Sequence, residues 1–314
     1  MTGVALVGQN GHQLDAARVL AAGAQLVGAY DAPPGPGRHY PSLEALLDDP
    51  AVTLVSICAP RRADQPALIL RALAAGKHVL AEKPLAMSHA ALDDVVRHAA
   101  AYQRHCYEMD SSGEAPYVAV RRLLAAGQIG AVVQIIARKA YPYADWRPDD
   151  PAVDGGLIMQ AAIHAARWIV QTCDQTVVRV AAHGTTAGPR PGVLMSAAGI
   201  QAQLAGGGVA SISASYLHRA ESGDWADDEL RVYGSAGVIV AAGRARTLRV
   251  ITAAGLRYHD ASACEPMLEQ VLARIRGAVP APSPRRQHHA TRVVISAAES
   301  AARAGAWLAV PDEP

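Results

Sequence analysis

The first hundred residues alternate short apolar runs with amphipathic stretches, and glycine, proline or serine stands at most of the joints. Residues 4–7 are an apolar run that stops at Gly8-Gln9-Asn10-Gly11-His12. Leu14, Ala17, Val19 and Leu20 then recur at helical spacing up to Gly23. Residues 25–30 are a second apolar run, closed by Asp31. Residues 42–47 read as a short helix capped by Ser42, 52–58 as a strand, and 63–75 as a helix ended by Gly76. Residues 79–81 read as a buried strand and 88–102 as a helix capped by Ser88. Strands and helices alternating at this spacing predict a parallel, doubly wound sheet.

After residue 115 the pattern changes. Residues 116–126 read as a helix ending at Gly127, 132–137 as a strand, and 157–168 as a helix carrying His164 among apolar residues. Residues 177–182, 192–204, 209–216, 229–233, 238–241 and 247–251 read as strands, with Gly206-Gly207-Gly208 as a hairpin turn. Residues 265–277 and 289–304 are closing helices on either side of the proline-rich 280–284. The expected fold class is an α/β Rossmann-type doubly wound parallel sheet followed by an α+β domain with a large open, mostly antiparallel sheet. The expected domains are 1–115, binding a dinucleotide, and 116–314, for substrate and oligomerisation, with the polar stretch 108–114 as the crossing. An open sheet face predicts a homodimer or homotetramer through that sheet.

Composition narrows the function class. The chain is 51% apolar and 18% charged with a net charge of +1, which predicts a large core and neither a nucleic-acid nor a membrane partner. Phenylalanine is absent, so the core is expected to be aliphatic. Cys58, Cys106, Cys173 and Cys264 form no CxxC pair and read as free thiols in a reducing compartment. The chain enters its first strand directly and holds no span long enough for a membrane helix, so the expected location is cytoplasmic.

Two stretches carry candidate chemistry. A strand, a glycine turn, a helix and a second strand tipped by an acid make up the βαβ unit that holds a dinucleotide. The turn, here Gly8, Gln9, Asn10, Gly11 and His12, must bring backbone N–H groups to a pyrophosphate. The G-x-G-x-x-G pattern is degenerate, with Asn10 and Gln13 at its second and third glycines. Asn10 is expected to hold the turn by tolerating a left-handed backbone. Asp31 would accept from ribose hydroxyls and favours NAD, while Arg38 and His39 keep NADP open. Residues 32–37 form a rigid proline- and glycine-rich loop beside them. The second stretch is Ala81-Glu82-Lys83-Pro84, which puts one of only three lysines where a parallel strand ends and ligands bind.

The glycine turn, the acid-tipped second strand, the strand ending Cys58-Ala59-Pro60 and the run Gly76-Lys77-His78-Val79-Leu80-Ala81-Glu82-Lys83-Pro84 together resemble the glucose–fructose oxidoreductase / inositol dehydrogenase (Gfo/Idh/MocA) family. The resemblance spans essentially the whole chain. It implies an NAD(P)-dependent dehydrogenase or reductase moving a hydride between a nicotinamide and a secondary hydroxyl or ketone of a sugar, inositol or related polyol. It implies cofactor contacts from Gly8, Gln9, Asn10, Gly11, His12, Asp31, Ala59, Pro60, Glu82 and Lys83.

Tyr143, Trp146 and Arg147, ahead of Gly155-Gly156, resemble the family's substrate-covering loop. His164 stands where the family's D-x-x-x-H motif has its histidine, with Gln160 in place of the aspartate and Arg167 in place of a later acid. The implied roles are Lys83 polarising the reacting oxygen and His164 as general acid/base, with Tyr143, Trp146, Arg147 and Gln160 positioning the substrate. Without the aspartate, His164 should be harder to protonate. The alternatives give the proton to Tyr141 or Tyr143, or make the chain a non-catalytic nucleotide- or sugar-binding paralogue. His288 and His289 lack further ligands and are expected in a solvated loop, with no metal.

Overall fold

In a computed structural model, the described residues are 1–32, 35–143, 147–148, 150–188, 192, 194–243 and 247–313, and they build two sheets. The first contains β1 (Thr2–Gly8), β2 (Ala24–Tyr30), β3 (Arg38–His39), β4 (Leu54–Cys58), β5 (His78–Ala81) and β6 (Cys106–Glu108). They run in the order β3-β2-β1-β4-β5-β6, all parallel. Between them lie α1 (Ala16–Ala21), α2 (Leu43–Asp48), α3 (Gln65–Ala74) and α4 (His89–Ala101). Ser42 and Ser88 cap α2 and α4 by accepting from the backbone N–H of Ala45 and Ala91, which satisfies donors the helices leave unpaired. Register sets Val7 opposite Tyr30, Gly8 opposite Cys58 and Ile57 opposite Ala81. The residues that follow these strands therefore emerge along one edge, with the topological switch between β1 and β4 at its centre. β3 and β6, of two and three residues, are too short to leave a periodic trace in the sequence.

The second half supplies α5 (Tyr117–Ala125), β7 (Val132–Ala140), α6 (Pro151–Asp154) and α7 (Ile163–Arg167). Then come β8 (Val177–Thr185), β9 (Ala197–Leu204), β10 (Val209–Ser215), β11 (Asp227–Gly234), β12 (Gly237–Ala242), β13 (Thr247–Thr252) and β14 (Gly255–Asp260). α8 (Met267–Ile275), α9 (Pro284–Ala302) and β15 (Leu308–Ala309) close the chain. The nine-stranded sheet runs β14-β13-β12-β11-β7-β10-β9-β8-β15, antiparallel except for the β7–β10 pair.

Three expectations need correcting. The helix predicted over 157–168 is α7 between two π-helical turns, Ile158–Ala162 and Trp168–Thr172, a departure that hydrophobic periodicity does not register. The last helix starts at Pro284, not 289, because Ser283 caps it and a proline suits its first turn. His288 and His289 consequently lie inside α9 at 3% and 1% exposure, not in a solvated loop. Among the described residues no helix is long and apolar enough to cross a membrane.

The two halves are interlocked. Leu268, Val271 and Leu272 of α8 pack with Val4, Leu6, Leu54 and Leu80 of the first sheet. Ile295 of α9 joins a separate cluster with Ala5, Val7, Val55 and Ile57, residues that alternate with the previous set along the same strands and so face the other side. Both faces of the first sheet are thus covered partly by late sequence. Beneath them, Arg167 of α7 pairs with Glu108 of β6 at 2.6 Å, both side chains being at most 2% exposed. Glu108 also accepts from Leu85 N–H and from the Thr291 hydroxyl, and Arg167 donates to Met109 C=O.

Removing one member of a buried pair strands the other charge. Arg167→Ala is expected to cost about 3 kcal/mol, and the unbranched, uncharged Arg167→Met a similar amount, in urea unfolding. A loss under about 1 kcal/mol in both would show that the pair does not hold the halves together.

Candidate active site

Lys83 lies two residues beyond the end of β5 and is 3% exposed. Its Nζ donates to Gln160 C=O at 2.9 Å and to Gln160 Oε1 at 2.6 Å. Burial pulls the ammonium pKa down to about 7, against the opposing pull of Glu82. Glu82, 1% exposed, accepts from His12 N–H at 2.5 Å and lies 3.1 Å from His12 Nδ1. Burial alone would raise the Glu82 carboxyl, but the His12 hydrogen bond and the Lys83 charge outweigh it and hold its pKa at about 2. Gln65, fully buried, fastens the same turn from below by donating to the carbonyls of Glu82 and Pro84.

His164 is half-buried on α7, one helical turn beyond Gln160 in the preceding π turn. Its Nδ1 lies 3.3 Å from Ser111 Oγ. Its pKa is lowered well below the ordinary value, first by burial and then by the charges of Lys83, Lys139 and Arg167. The imidazole is therefore neutral near pH 7. Gln160 Nε2 donates to Asp154 C=O, so Gln160 is committed to holding Lys83 and α6.

At the strand-end edge the glycine turn is rebuilt by side chains. Gly8 has φ +71°, and a Cβ there would meet Cys58 C=O at 2.2 Å. Gly11 has φ +120° and lies against the Glu82 carboxylate, 2.6 Å from where its Cβ would be. Asn10 is not left-handed, which corrects the expectation. It is held instead by Asn10 N–H to Cys58 C=O at 3.2 Å and Nδ2 to Pro60 C=O at 2.8 Å. Gln13, at the third glycine position, donates to the carbonyls of Val7, Gly8 and Ser56 and accepts from the Ser56 hydroxyl. α1 starts only at Ala16, and Asp15 caps it by accepting from Arg18 N–H. Gln9 and Gly11 are exposed on the loop, Ala59 is buried, and Asp31 is exposed after β2 with φ +49°. Arg38 is held by Asp49 at 2.6 Å.

These elements face a cleft of about 580 Å³. Of the predicted residues, His12, Glu82, Lys83, Tyr141, Arg147 and His164 line it. Gly8, Gln9, Asn10, Gly11, Asp31, Ala59 and Pro60 sit along the strand-end edge instead. Tyr143 lies behind Arg147, donating its hydroxyl to Arg147 C=O at 3.1 Å. The Arg147 guanidinium lies 4.8 Å from the Tyr141 ring centroid and 4.0 Å from Asp154. Tyr141 is 4% exposed, and burial raises its pKa, which disfavours it as a proton acceptor. Trp146 and the Pro33-Pro34 part of the predicted rigid loop lie outside the described residues. Sequence reasoning missed Ser111, Lys139, Trp225 and Asp228, which also line the cleft. Only the scarcity of lysine could have drawn attention to Lys139.

The turn fits a dinucleotide by its shape, since Gly8 and Gly11 leave no room for a side chain. Gly11→Ala puts a methyl group against Glu82 at a φ that alanine avoids. It is expected to weaken NADH binding at least about tenfold in a fluorescence titration while leaving far-UV circular dichroism unchanged. Unchanged affinity would show that the turn does not carry the cofactor.

Comparison with known proteins agrees with this geometry. The family model described as an oxidoreductase family with an NAD-binding Rossmann fold matches residues 4–109, and that of the GFO/IDH/MocA C-terminal domain matches 117–240. A 1,5-anhydro-D-fructose reductase of Ensifer adhaerens is 30% identical over 156 residues, which cover 47% of this chain and 46% of the relative. An inositol 2-dehydrogenase of Saccharopolyspora erythraea is 30% identical over 207 residues, covering 57% and 58%. The chain spans about half the length of these relatives. A levoglucosan dehydrogenase solved in complex with NADH superposes with a TM-score of 0.78 over 99% of each chain at 17% identity, a likeness of fold.

Proposed function

We propose, from the premise that this chain belongs to the GFO/IDH/MocA family of oxidoreductases with an NAD-binding Rossmann fold, that it interconverts a secondary hydroxyl and a ketone on a sugar, inositol or related polyol. The observation that carries the reading is the Lys83 ammonium, buried in the wall of the cleft that His164 also lines and held there by Gln160. When bound, the nicotinamide supplies the hydride acceptor or donor. Two of the three Lys83 N–H groups are held by Gln160, and the third is left to hydrogen-bond the reacting oxygen. The neutral His164 takes the hydroxyl proton in oxidation and returns it in reduction. Its Nδ1 faces the Ser111 hydroxyl, which supports the ring where other members use a carboxylate.

Arg147 offers donors to the substrate, and Tyr143 and Trp146 position it; Gln160, buried and bonded to Lys83 and Asp154, acts through Lys83 and not on the substrate, which corrects its expected role. Backbone groups of residues 8–12, with Ala59, Pro60 and Glu82, hold the nucleotide, and Asp31 accepts from its ribose. Asp15 already caps α1, so the pyrophosphate is held by the loop and His12 rather than by the helix end. NAD is favoured over NADP, because Asp31 would repel a 2′-phosphate and Arg38 is engaged by Asp49.

Melting curves with NAD⁺, NADH, NADP⁺ and NADPH test the cofactor. A nucleotide at a hundredfold its Kd adds about 2.7 kcal/mol to the folded state, and the NAD pair is expected to give the larger shift. Lys83→Met should then lower kcat/KM about 10²–10⁴-fold while NADH still binds. The sign of the pH effect follows from the depressed pKa: the ammonium is present below about 7 and lost above it. Ketone reduction should therefore fall with rising pH as the His164 imidazolium is lost, and more steeply above about 7, where the Lys83 ammonium is lost as well. No shift with any nucleotide, in protein free of bound cofactor, would favour the non-catalytic alternative.

The open face of the nine-stranded sheet supports self-association as a homodimer or homotetramer. Ile251 pairs with Leu256 and Arg249 with Tyr258 across β13–β14, and Ile251, Leu256 and Tyr258 are 41%, 51% and 67% exposed on that one face. Tyr258→Glu combined with Ile251→Glu is expected to reduce the sedimenting species to monomer. A monomeric native protein at micromolar concentration would refute the interface.

A further inference from the structure

We propose that Asp228 and Lys139, side by side on the sheet wall of the cleft, read a pair of adjacent hydroxyls on a neutral substrate ring. The proposal rests on the oxidoreductase reading above and assigns substrate recognition to residues that reading does not use.

The β7–β11 register sets Lys139 directly opposite Asp228. Both side chains line the cleft, 15% and 12% exposed, with Nζ 2.8 Å from Oδ2. A neighbouring pair on the same two strands, Arg138 with Asp227, is 42% and 46% exposed and solvated. Lys139–Asp228 differs in being both desolvated and incomplete. Asp228 Oδ1 is buried and has no hydrogen-bond partner among the described residues. Leaving a buried carboxylate oxygen without a donor is costly, and a hydroxyl in the cleft would supply that donor. Lys139 donates one of its three N–H groups to Asp228, and its Nζ lies 5.9 Å from the Tyr141 ring centroid. A carboxylate with one unpaired oxygen and a lysine with unused donors thus lie side by side in the cleft wall, and a small turn of the carboxylate on binding makes them the complement of a vicinal diol: one hydroxyl donates to Oδ1 and its neighbour accepts from Nζ. A carboxylate or phosphate on the ring at this place would meet Asp228 with like charge. Trp225, 54% exposed on the same cleft, adds a flat apolar surface for the C–H face of a ring.

The test uses the full chain loaded with NADH and titrated with D-glucose, D-xylose and myo-inositol by intrinsic fluorescence. The tightest of these is then compared with its monodeoxy and uronic-acid analogues, in the native protein, Asp228→Asn and Lys139→Met. One deoxy analogue is expected to bind about 10- to 100-fold more weakly than its parent in the native protein. In Asp228→Asn the parent should fall by a similar factor, and that analogue should fall little further, because both changes remove the same hydrogen bond. Lys139→Met should weaken binding of the parent by about as much as losing the hydroxyl that accepts from it. NADH affinity should stay constant throughout, which separates failure here from failure of the cofactor reading. Equal binding of parent and deoxy analogues, a uronic acid preferred to its parent, or no saturable binding by any of the three probes would each overturn the proposal. If Asp228→Asn does not fold, the analogue series on the native protein decides alone.

Discussion

The burial of the Lys83 ammonium is the constraint on which the rest of the site depends. A charge out of water has to be surrounded by oriented dipoles or lose its proton. Two of those dipoles come from Gln160, in the second half of the chain, and the nearest compensating charge is Glu82, in the first. Lys83 can be held this way only if the π turn before α7 and the turn after β5 are fixed relative to each other. That accounts for how much of the molecule is committed to the boundary. Gln65 fastens the turn, the Glu108–Arg167 pair ties β6 to α7, and α8 and α9 cover the first sheet from its two sides. A division at residue 115/116 would leave that sheet exposed where late sequence now covers it.

Each departure from the family's motifs has a local physical answer. Gln160 gives up the charge of an aspartate, but its side-chain oxygen and its backbone carbonyl both accept from Lys83, and its amide donates to Asp154 C=O. Arg167, at a position where an acid is often found, is paired with Glu108 and so contributes to cohesion rather than to proton transfer. In the glycine turn, Asn10 and Gln13 replace backbone freedom with side-chain hydrogen bonds, while the positive φ angles stay with Gly8 and Gly11. His164, buried and facing the charges of Lys83, Lys139 and Arg167, stays neutral at lower pH than a free imidazole, with the Ser111 hydroxyl beside its Nδ1.

The sequence by itself determined the parallel α/β half, the strand-rich second half, and the positions of Lys83, Glu82 and His164. It could do so because these features are local. Period-2 and period-3.6 patterns, serine caps and a contiguous block around Lys83 are each written within a few residues. Ser111, Lys139, Trp225 and Asp228 were not legible, because each becomes part of a site only through a partner more than fifty residues away or across a strand register. The same holds for His288 and His289: nothing adjacent to them in sequence shows that Ser283 starts the helix early and turns both rings into the core. Only the tertiary structure decided which faces met, and with that which charges lost their water. Burial is set by the whole chain, so the lowered pKa values of Lys83 and His164 and the unpartnered oxygen of Asp228 exist only once the two halves close on each other.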